Sequence, residues 1–333
     1  MDDCPPEILL IIFDLACADG GATARALSLT SRYISAVAAP YVHRTLEISG
    51  ISSIERAYAH LSTLPAEHRR VHHLFVSDKQ LRDSVPDADL VASDPESLAS
   101  VELHEALHRS NAAEARVLPD LLDRLLRLLA PSLRTLSCVL FNPLQSAVFV
   151  RLCAVPFPFL TDLTLRLSER ILMPPPPAAP AMPRLRRLHF ASSRYLSTTA
   201  APVLALFAAA CPLLAHLRLS DLRLMPGCAA ALCRMLGRDP VRDQYGWIPS
   251  AASLDRVARL PARVRAVVVQ LEDLEAKGFG GFEAHLVQSV ADTDRADGFV
   301  LLPRAPRRTY EQWAEDWAAV AHGDYSAWEA VRA

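Results

Sequence analysis

A short apolar phrase recurs along this chain of 333 residues. A complete copy has an apolar residue, two variable residues, an apolar residue, one variable residue and a final apolar residue, and the alternation at its end predicts a buried β-strand. The first copy, Thr45–Ile48, is truncated. Successive copies lie 28, 62, 27, 25, 29 and 50 residues apart, measured between their middle apolar residues, which are Leu46, Leu74, Leu136, Leu163, Leu188, Leu217 and Val267. The segments between many of the copies have helical character, so the pattern predicts a repeated unit of one strand and one helix.

The chain begins with a different pattern. Pro5 and Pro6 favour a helix start, because proline's fixed φ and missing N–H are tolerated in the first turn, and Glu7 places a carboxylate near the positive end of the helix dipole. The segment from Ile8 to Leu15 is apolar nearly all round, so it needs its own domain on one face and a second partner, a candidate for another protein, on the other. Two further short helices are predicted, at Ala24–Ser31 and Ile34–Ala39.

These first 45 or so residues resemble the F-box, a compact three-helix module, in the form found in mushroom-forming fungi. The matching residues are Pro5, Glu7, Ile8, Leu9, Ile12 and Phe13, then Leu27-Ser28-Leu29, Ser31-Arg32-Tyr33, Val37 and Pro40-Tyr41. The resemblance implies that the module binds a Skp-type adaptor through Pro5, Pro6, Glu7, Ile8, Leu9, Ile12, Leu27 and Leu29. Cys4 departs from the family, which usually has a leucine there that helps to grip the adaptor. The alternative is an ordinary helical cap on a larger domain.

The recurring phrase, from about Val42 to Leu274, resembles the irregular leucine-rich-repeat solenoids that often follow an F-box, because four of the six intervals fall within the 20–29 residues of such repeats. The predicted fold class is therefore α/β, with a short three-helix F-box module followed by an irregular leucine-rich-repeat-like solenoid that carries helical insertions and a C-terminal capping helix. The predicted divisions are residues 1–45, 46–308 and 309–333, with a helical insertion at 84–130, a Pro-rich loop at 173–183 and a polar loop at 237–253. The alternative is a non-repetitive α/β domain with several similar strands.

The last division has the sequence of a capped helix. Thr309 and Gln312 fit the capping box, and Tyr310, Trp313 and Trp317 fall on one helical stripe. We predict that this helix covers the open end of the repeat array, and the alternative is an aromatic face that binds a partner.

A candidate client-binding surface follows from strand geometry. Side chains alternate along a strand, so the variable residues between the apolar ones should line the opposite, concave face. This places Phe75, Thr164, Arg166, His189, Arg218 and Gln270 among the predicted contacts with a client protein. The residues predicted on this face mix cations, hydroxyls and apolar groups without an acidic residue, which suits a partner that bears some negative charge.

Composition narrows the classes of function. Hydrophobic residues make up 51% and charged residues 22% of a chain whose net charge is −2, which predicts a globular protein and gives no reason to expect nucleic acid or an anionic membrane as partner. The seven cysteines form no CxxC pair and fit a reducing compartment. The acidic N-terminus argues against a signal peptide, and no apolar run reaches the length of a membrane span.

One string suggests enzymatic chemistry. His104-Glu105-Ala106-Leu107-His108 is a literal HExxH, in which His104 and His108 would bind zinc from one helical face with Glu105 as the general base. Charged neighbours such as Glu102 and Arg109, and the missing third histidine of the extended motif, favour a polar helical face instead. The chain contains no GxSxG, P-loop or GxGxxG string. We therefore expect no catalytic residues, no cofactor and no bound metal.

Together these features predict a non-enzymatic substrate receptor of an SCF-type ubiquitin ligase, which binds a Skp-type adaptor and an unidentified client and works in the cytoplasm or nucleus. A repeat scaffold without adaptor binding is the second hypothesis, and a zinc hydrolase at His104 and His108 is the third.

Overall fold

The strands of the protein form one sheet in a computed structural model. The model describes residues 4–17, 21–79, 98–142, 144–145, 147–167, 181–192, 201–222, 228–238, 259–273, 285, 287–290, 292 and 298–329. Within these residues eight parallel strands follow one another across the sheet in chain order. They are β1 (Thr45–Ser49), β2 (His73–Ser77), β3 (Thr135–Val139), β4 (Asp162–Leu167), β5 (Arg187–Ser192), β6 (His216–Leu222), β7 (Ala266–Glu272) and β8 (Phe299–Ala305).

Helices precede and separate these strands. They are α1 (Pro6–Ala16), α2 (Ala22–Ser28), α3 (Arg32–Ala38), α4 (Ile51–Thr63), α5 (Leu98–Leu129), α6 (Val148–Cys153), α7 (Ala201–Ala210), α8 (Cys228–Met235), α9 (Tyr310–Ala321) and α10 (Ser326–Glu329), with 3₁₀ turns at Ala39–Tyr41 and Ala66–His68. Among the described residues, no helix combines the length and the apolar character that a membrane crossing requires.

The recurring apolar phrase marks β1 to β7 correctly, but no copy of it predicted β8. Its seven middle residues are in register from strand to strand, with Leu46 opposite Leu74 and so on to Leu217 opposite Val267. Alternate residues of these strands point into one apolar core, which they share with buried side chains of α4 to α8 such as Ile54, Leu122 and Phe149. The strands therefore bury their apolar sides against α4 to α8.

The predicted fold class is nevertheless wrong. We expected a three-helix F-box module followed by an irregular leucine-rich-repeat-like solenoid with helical insertions and a C-terminal capping helix, whereas the structure has a single eight-stranded, all-parallel sheet with interspersed helices, an α/β arrangement. The physical reason is that buried parallel strands are short apolar runs in α/β proteins generally. The phrase therefore locates strands and their register, but it does not specify the architecture that they build.

Two segments differ from their predicted positions. The helical insertion was expected to hold two helices, at Pro95–Arg109 and Asn111–Leu129, but one helix runs from Leu98 to Leu129 with Pro119 inside it. Helix α9 packs on the open face of the sheet, against Phe75 of β2 and Val139 of β3, and does not lie at one end of it. Residues 173–180 of the predicted Pro-rich loop (173–183) and residues 239–253 of the predicted polar loop (237–253) lie outside the described residues.

The first three helices have a small core of their own. Leu9, Phe13, Cys17, Ala24, Ile34 and Ala38 form this buried cluster, which is separate from the core of the sheet. The hydroxyl of Tyr41 donates to the carbonyl of Leu10 at 2.7 Å, and Arg44 pairs with the Asp14 carboxylate at 2.6 Å. These contacts fix α1 against the segment that leads into β1.

Candidate functional site: the exposed face of the first helix

Helix α1 presents an apolar stripe to solvent. Ile8, Ile11, Ile12 and Leu15 follow the spacing i, i+3, i+4, i+7, so they lie on one side of the helix, and all four are exposed. Leu15 is 78% exposed, a large fraction for a leucine. The opposite side holds Leu9 and Phe13, which are buried in the small core. The helix therefore has two apolar faces, and only one of them is covered in the described residues.

Local sequence explains where this helix starts. Pro5 is the N-cap and Pro6 is the first helical residue, where the missing N–H of proline costs no hydrogen bond. Glu7 lies in the first turn, near the positive end of the helix dipole. The start is thus fixed by residues that themselves lie at the surface, next to the exposed stripe.

The residues predicted to bind the adaptor divide into two groups. Leu9 is only 1% exposed and belongs to the small core, and Leu27 is half-buried against that core. The others, Pro5, Pro6, Glu7, Ile8, Ile12 and Leu29, are exposed. Leu29 follows α2 and is 87% exposed.

Sequence reasoning missed two members of the exposed stripe. Ile11 and Leu15 were not among the predicted contacts, yet they are more exposed than Ile8 and Ile12. The signal was present, because positions 8, 11, 12 and 15 form one helical stripe and positions 9 and 13 form another. The family resemblance drew attention to individual positions, whereas helical periodicity separates the two faces.

Cys4 lies beside the small core. Its side chain is partly buried against that core, and its carbonyl oxygen accepts a 2.7 Å hydrogen bond from the hydroxyl of Tyr33. The thiol thus packs within the N-terminal helices, and Cys4 is not one of the exposed residues of α1.

The residues predicted to bind a client are brought together by the sheet register. Phe75, Thr164, His189 and Arg218 lie in one row across β2 to β6, with Ser137 between the first two. Arg166 lies two residues further along β4, in the next row, and Gln270 lies on β7, opposite Leu302 of β8. The predicted row is therefore real as a geometric feature.

Helix α9 covers this row. The ring of Phe75 packs on Tyr310 and Trp317, with centroids 5.5 and 5.6 Å apart. The imidazole of His189 lies 5.0 Å from Trp313 and 6.1 Å from Trp328 of α10, again between ring centroids. Phe75, His189, Arg218 and Arg166 are buried, and only Thr164 and Gln270 keep intermediate exposure. With α9 in this position, a client reaches few of the predicted contacts.

Charged groups surround the covered row. Burial, and then the charges of Arg218 and Arg308, hold the pKa of His189 well below its usual value, so this imidazole is neutral. Burial lowers the pKa of Arg218 to about 10, with Arg308 as a second cause. Arg308 in turn pairs with Asp316 of α9, and Arg307 pairs with Glu272 of β7 at 2.5 Å. The Arg307–Glu272 pair attaches the segment before α9 to the sheet, and the Arg308–Asp316 pair joins that segment to α9.

One residue of the row, His189, forms a pair that resembles a base and its nucleophile. Its Nε2 lies 2.8 Å from the hydroxyl of Ser220, two residues beyond Arg218 on β6, but both residues are buried. The cavity between the sheet and α9 measures about 20 Å³, too small for an organic substrate. Thiol chemistry is disfavoured as well at two described cysteines, because burial raises the pKa of Cys153 and Cys211 to about 12.

The HExxH string lies in α5, and the side chains of His104 and His108 are outside the described residues. Elsewhere, in the side chains that the structure describes, no three histidine, cysteine, aspartate or glutamate residues are grouped so as to hold a metal ion.

Comparison with known proteins adds no further assignment, since no protein-family model and no curated protein matches the chain.

Proposed function

We propose that this protein is the substrate-recognition subunit of an SCF-type ubiquitin ligase. In this proposal α1 docks on a Skp-type adaptor, the part of the chain that forms the sheet holds a client protein, and a partner in the complex supplies the ubiquitin-transfer chemistry. The protein acts by positioning its client, has no catalytic residues of its own and works in the cytoplasm or nucleus.

The exposed stripe of α1 carries this proposal. Four large apolar side chains, Ile8, Ile11, Ile12 and Leu15, face solvent within eight residues of one helix. A contiguous apolar patch of this kind marks an interaction surface in a soluble protein, and a helix with one free apolar face suits a groove on a partner. The resemblance of residues 5–41 to the F-box identifies the kind of partner, a Skp-type adaptor.

The small core supports the same proposal. It holds α1, α2 and α3 together through residues such as Phe13, Ala24 and Ile34, independently of the large core beneath the sheet. Packing of the covered face thus holds α1 in a fixed position, and the uncovered face is available to contact the adaptor. A rigid helix face binds with a smaller loss of conformational entropy than a flexible segment does.

The test is binding of the full chain to purified Skp-type adaptor, measured by pull-down and by calorimetry. We expect the native chain to bind, and the Ile11→Asp, Leu15→Asp double variant to bind at least about tenfold more weakly, because a buried unpaired carboxylate opposes association. The Ile8→Asp, Ile12→Asp variant should behave in the same way. Both pairs are exposed, so circular dichroism should show native folding.

A matched control is Leu213→Asp, since Leu213 is a similarly exposed leucine between α7 and β6. This variant should bind the adaptor as the native chain does. Failure of the native chain to bind would contradict the proposal and leave the second function, a protein-interaction scaffold without adaptor binding, in its place.

A further inference from the structure

Two histidines face each other where the N-terminal helices join the sheet. His43 lies between the turn at Ala39–Tyr41 and β1, and His60 lies in the last turn of α4. Their Nε2 atoms are 3.4 Å apart, their ring centroids are 5.2 Å apart, and the ring planes cross at 71°. His60 is exposed and His43 is half-buried, so the pair is open to solvent on one side.

The two distances match those expected for two imidazoles that bind one metal ion. Zinc binds imidazole at about 2.0–2.1 Å in tetrahedral geometry, which places two ligating nitrogens about 3.3 Å apart. Since a ring nitrogen lies roughly 1.1 Å from its ring centre, the centroids of two such ligands are about 5.2 Å apart. The observed 3.4 and 5.2 Å agree with both values.

A linear hydrogen bond between the rings fits less well. At the observed separation of the nitrogens, in-line rings would have centroids about 5.6 Å apart. The shorter centroid separation of 5.2 Å means that at least one ring is turned away from the line that joins the nitrogens. This separation is the one expected when both lone pairs meet at a metal ion beside that line.

We propose that His43 and His60 form a binding site for Zn²⁺ or a neighbouring divalent transition metal. In the part of the chain that the structure describes, no third histidine, cysteine, aspartate or glutamate completes the site, so the protein supplies two ligands. The remaining positions are left for water or for a side chain of a bound protein. The metal would join the segment after α3 to α4, and so would brace the N-terminal helices against the helix that follows β1.

The test is zinc binding to the untagged full chain by calorimetry, with Co²⁺ absorption as a second probe. We expect one ion per chain, and at least about tenfold weaker binding in both His43→Gln and His60→Gln. Removing even a residue that hydrogen-bonds to a metal ligand typically weakens metal affinity about tenfold or more, and removing the ligand itself should weaken it at least as much. His322→Gln, a change of an exposed histidine near α9, serves as the matched control and should bind as the native chain does.

A second variant and a second measurement keep the result decisive. The His104→Gln, His108→Gln variant separates this site from the HExxH string, and it should retain zinc binding. In the native chain, Zn²⁺ should protect His43 and His60, but not His322, from carbethoxylation mapped by mass spectrometry. The proposal is overturned if the native chain binds no zinc, if the His43 and His60 variants bind as the native chain does, or if only the His104/His108 variant loses binding.

Discussion

At the scale of single residues, burial changes the chemistry of several histidines. His72 directly precedes β2, and His73 is the first residue of that strand. Burial is the largest cause that lowers their pKa values, to about 4 for His72 and about 3 for His73. His189 is held neutral in the same way beneath α9. The sequence predicted the row in which His189 lies, but it also predicted exposure there. Periodicity assigns a side chain to a face of a strand and says nothing about which distant helix covers that face.

These lowered pKa values predict that the protein loses stability in mild acid. In the unfolded chain the three histidines take up protons near pH 6.5, whereas in the folded chain they resist protonation to much lower pH. The unfolded state therefore binds more protons below about pH 6.5, and stability falls as the pH falls through that value. The raised pKa values of Asp78 and Asp221 act in the opposite direction, so the comparison of variants is more informative than the native profile alone.

The measurement is the urea midpoint of unfolding at pH 7 and pH 5. We expect a lower midpoint at pH 5 for the native chain and a smaller difference between the two pH values for His73→Gln, because that variant cannot take up the proton. An unchanged difference in His73→Gln would show that this imidazole does not carry the effect.

At the scale of elements, prediction from sequence succeeded for strands and failed for covering helices. The phrase that contains Leu136, Leu163 and Leu188 aligned the strands residue by residue, because buried parallel strands repeat the same alternation. The capping box at Thr309 was also predicted, and it forms with Gln312. What the sequence did not reveal is that Trp313 and Trp317 pack on the face of the sheet. An aromatic stripe shows that a helix is covered, but it does not identify the partner surface.

The contact between α9 and the sheet has a measurable energy. Trp313 is 1% exposed and packs on His189, so Trp313→Ala should lower the free energy of unfolding by about 3–5 kcal/mol. Chemical denaturation measures this directly. Glu315→Ala changes an exposed residue of the same helix and should alter stability by less than about 0.5 kcal/mol. Equal, small effects of the two substitutions would contradict the position of α9 on the sheet.

At the scale of the whole molecule, two of the apolar cores in the described residues differ greatly in size. The core of the sheet joins residues from Ile48 to Phe299, whereas the core of the N-terminal helices ends within the first 42 residues. The N-terminal helices could be predicted from the sequence, because their helical pattern and their resemblance to the F-box lie within a short stretch of the chain. The architecture of the sheet could not be predicted, since it depends on contacts between strands that are far apart in the chain.

The difference in size predicts a difference in local stability. Regions with few buried apolar contacts open at lower free energies than large cores do, so amides of α1 to α3 should exchange with solvent at lower urea concentrations than those of β3 to β6. Hydrogen exchange followed by mass spectrometry resolves the two groups. Exchange of both groups at the same urea concentration would indicate a single cooperative unit.

One hydrogen bond has a consequence for synthesis of the chain. The Tyr310 hydroxyl donates to the Glu47 carboxylate at 2.7 Å, across 263 residues of sequence. A ribosome adds about 5–20 residues per second, so roughly 13–50 s pass between the synthesis of these two residues. During that interval the strands emerge without α9, and Phe75 and His189 lack their aromatic cover. The nascent chain therefore presents this face, with the ring of Phe75 uncovered, to chaperones until the residues of α9 leave the ribosome.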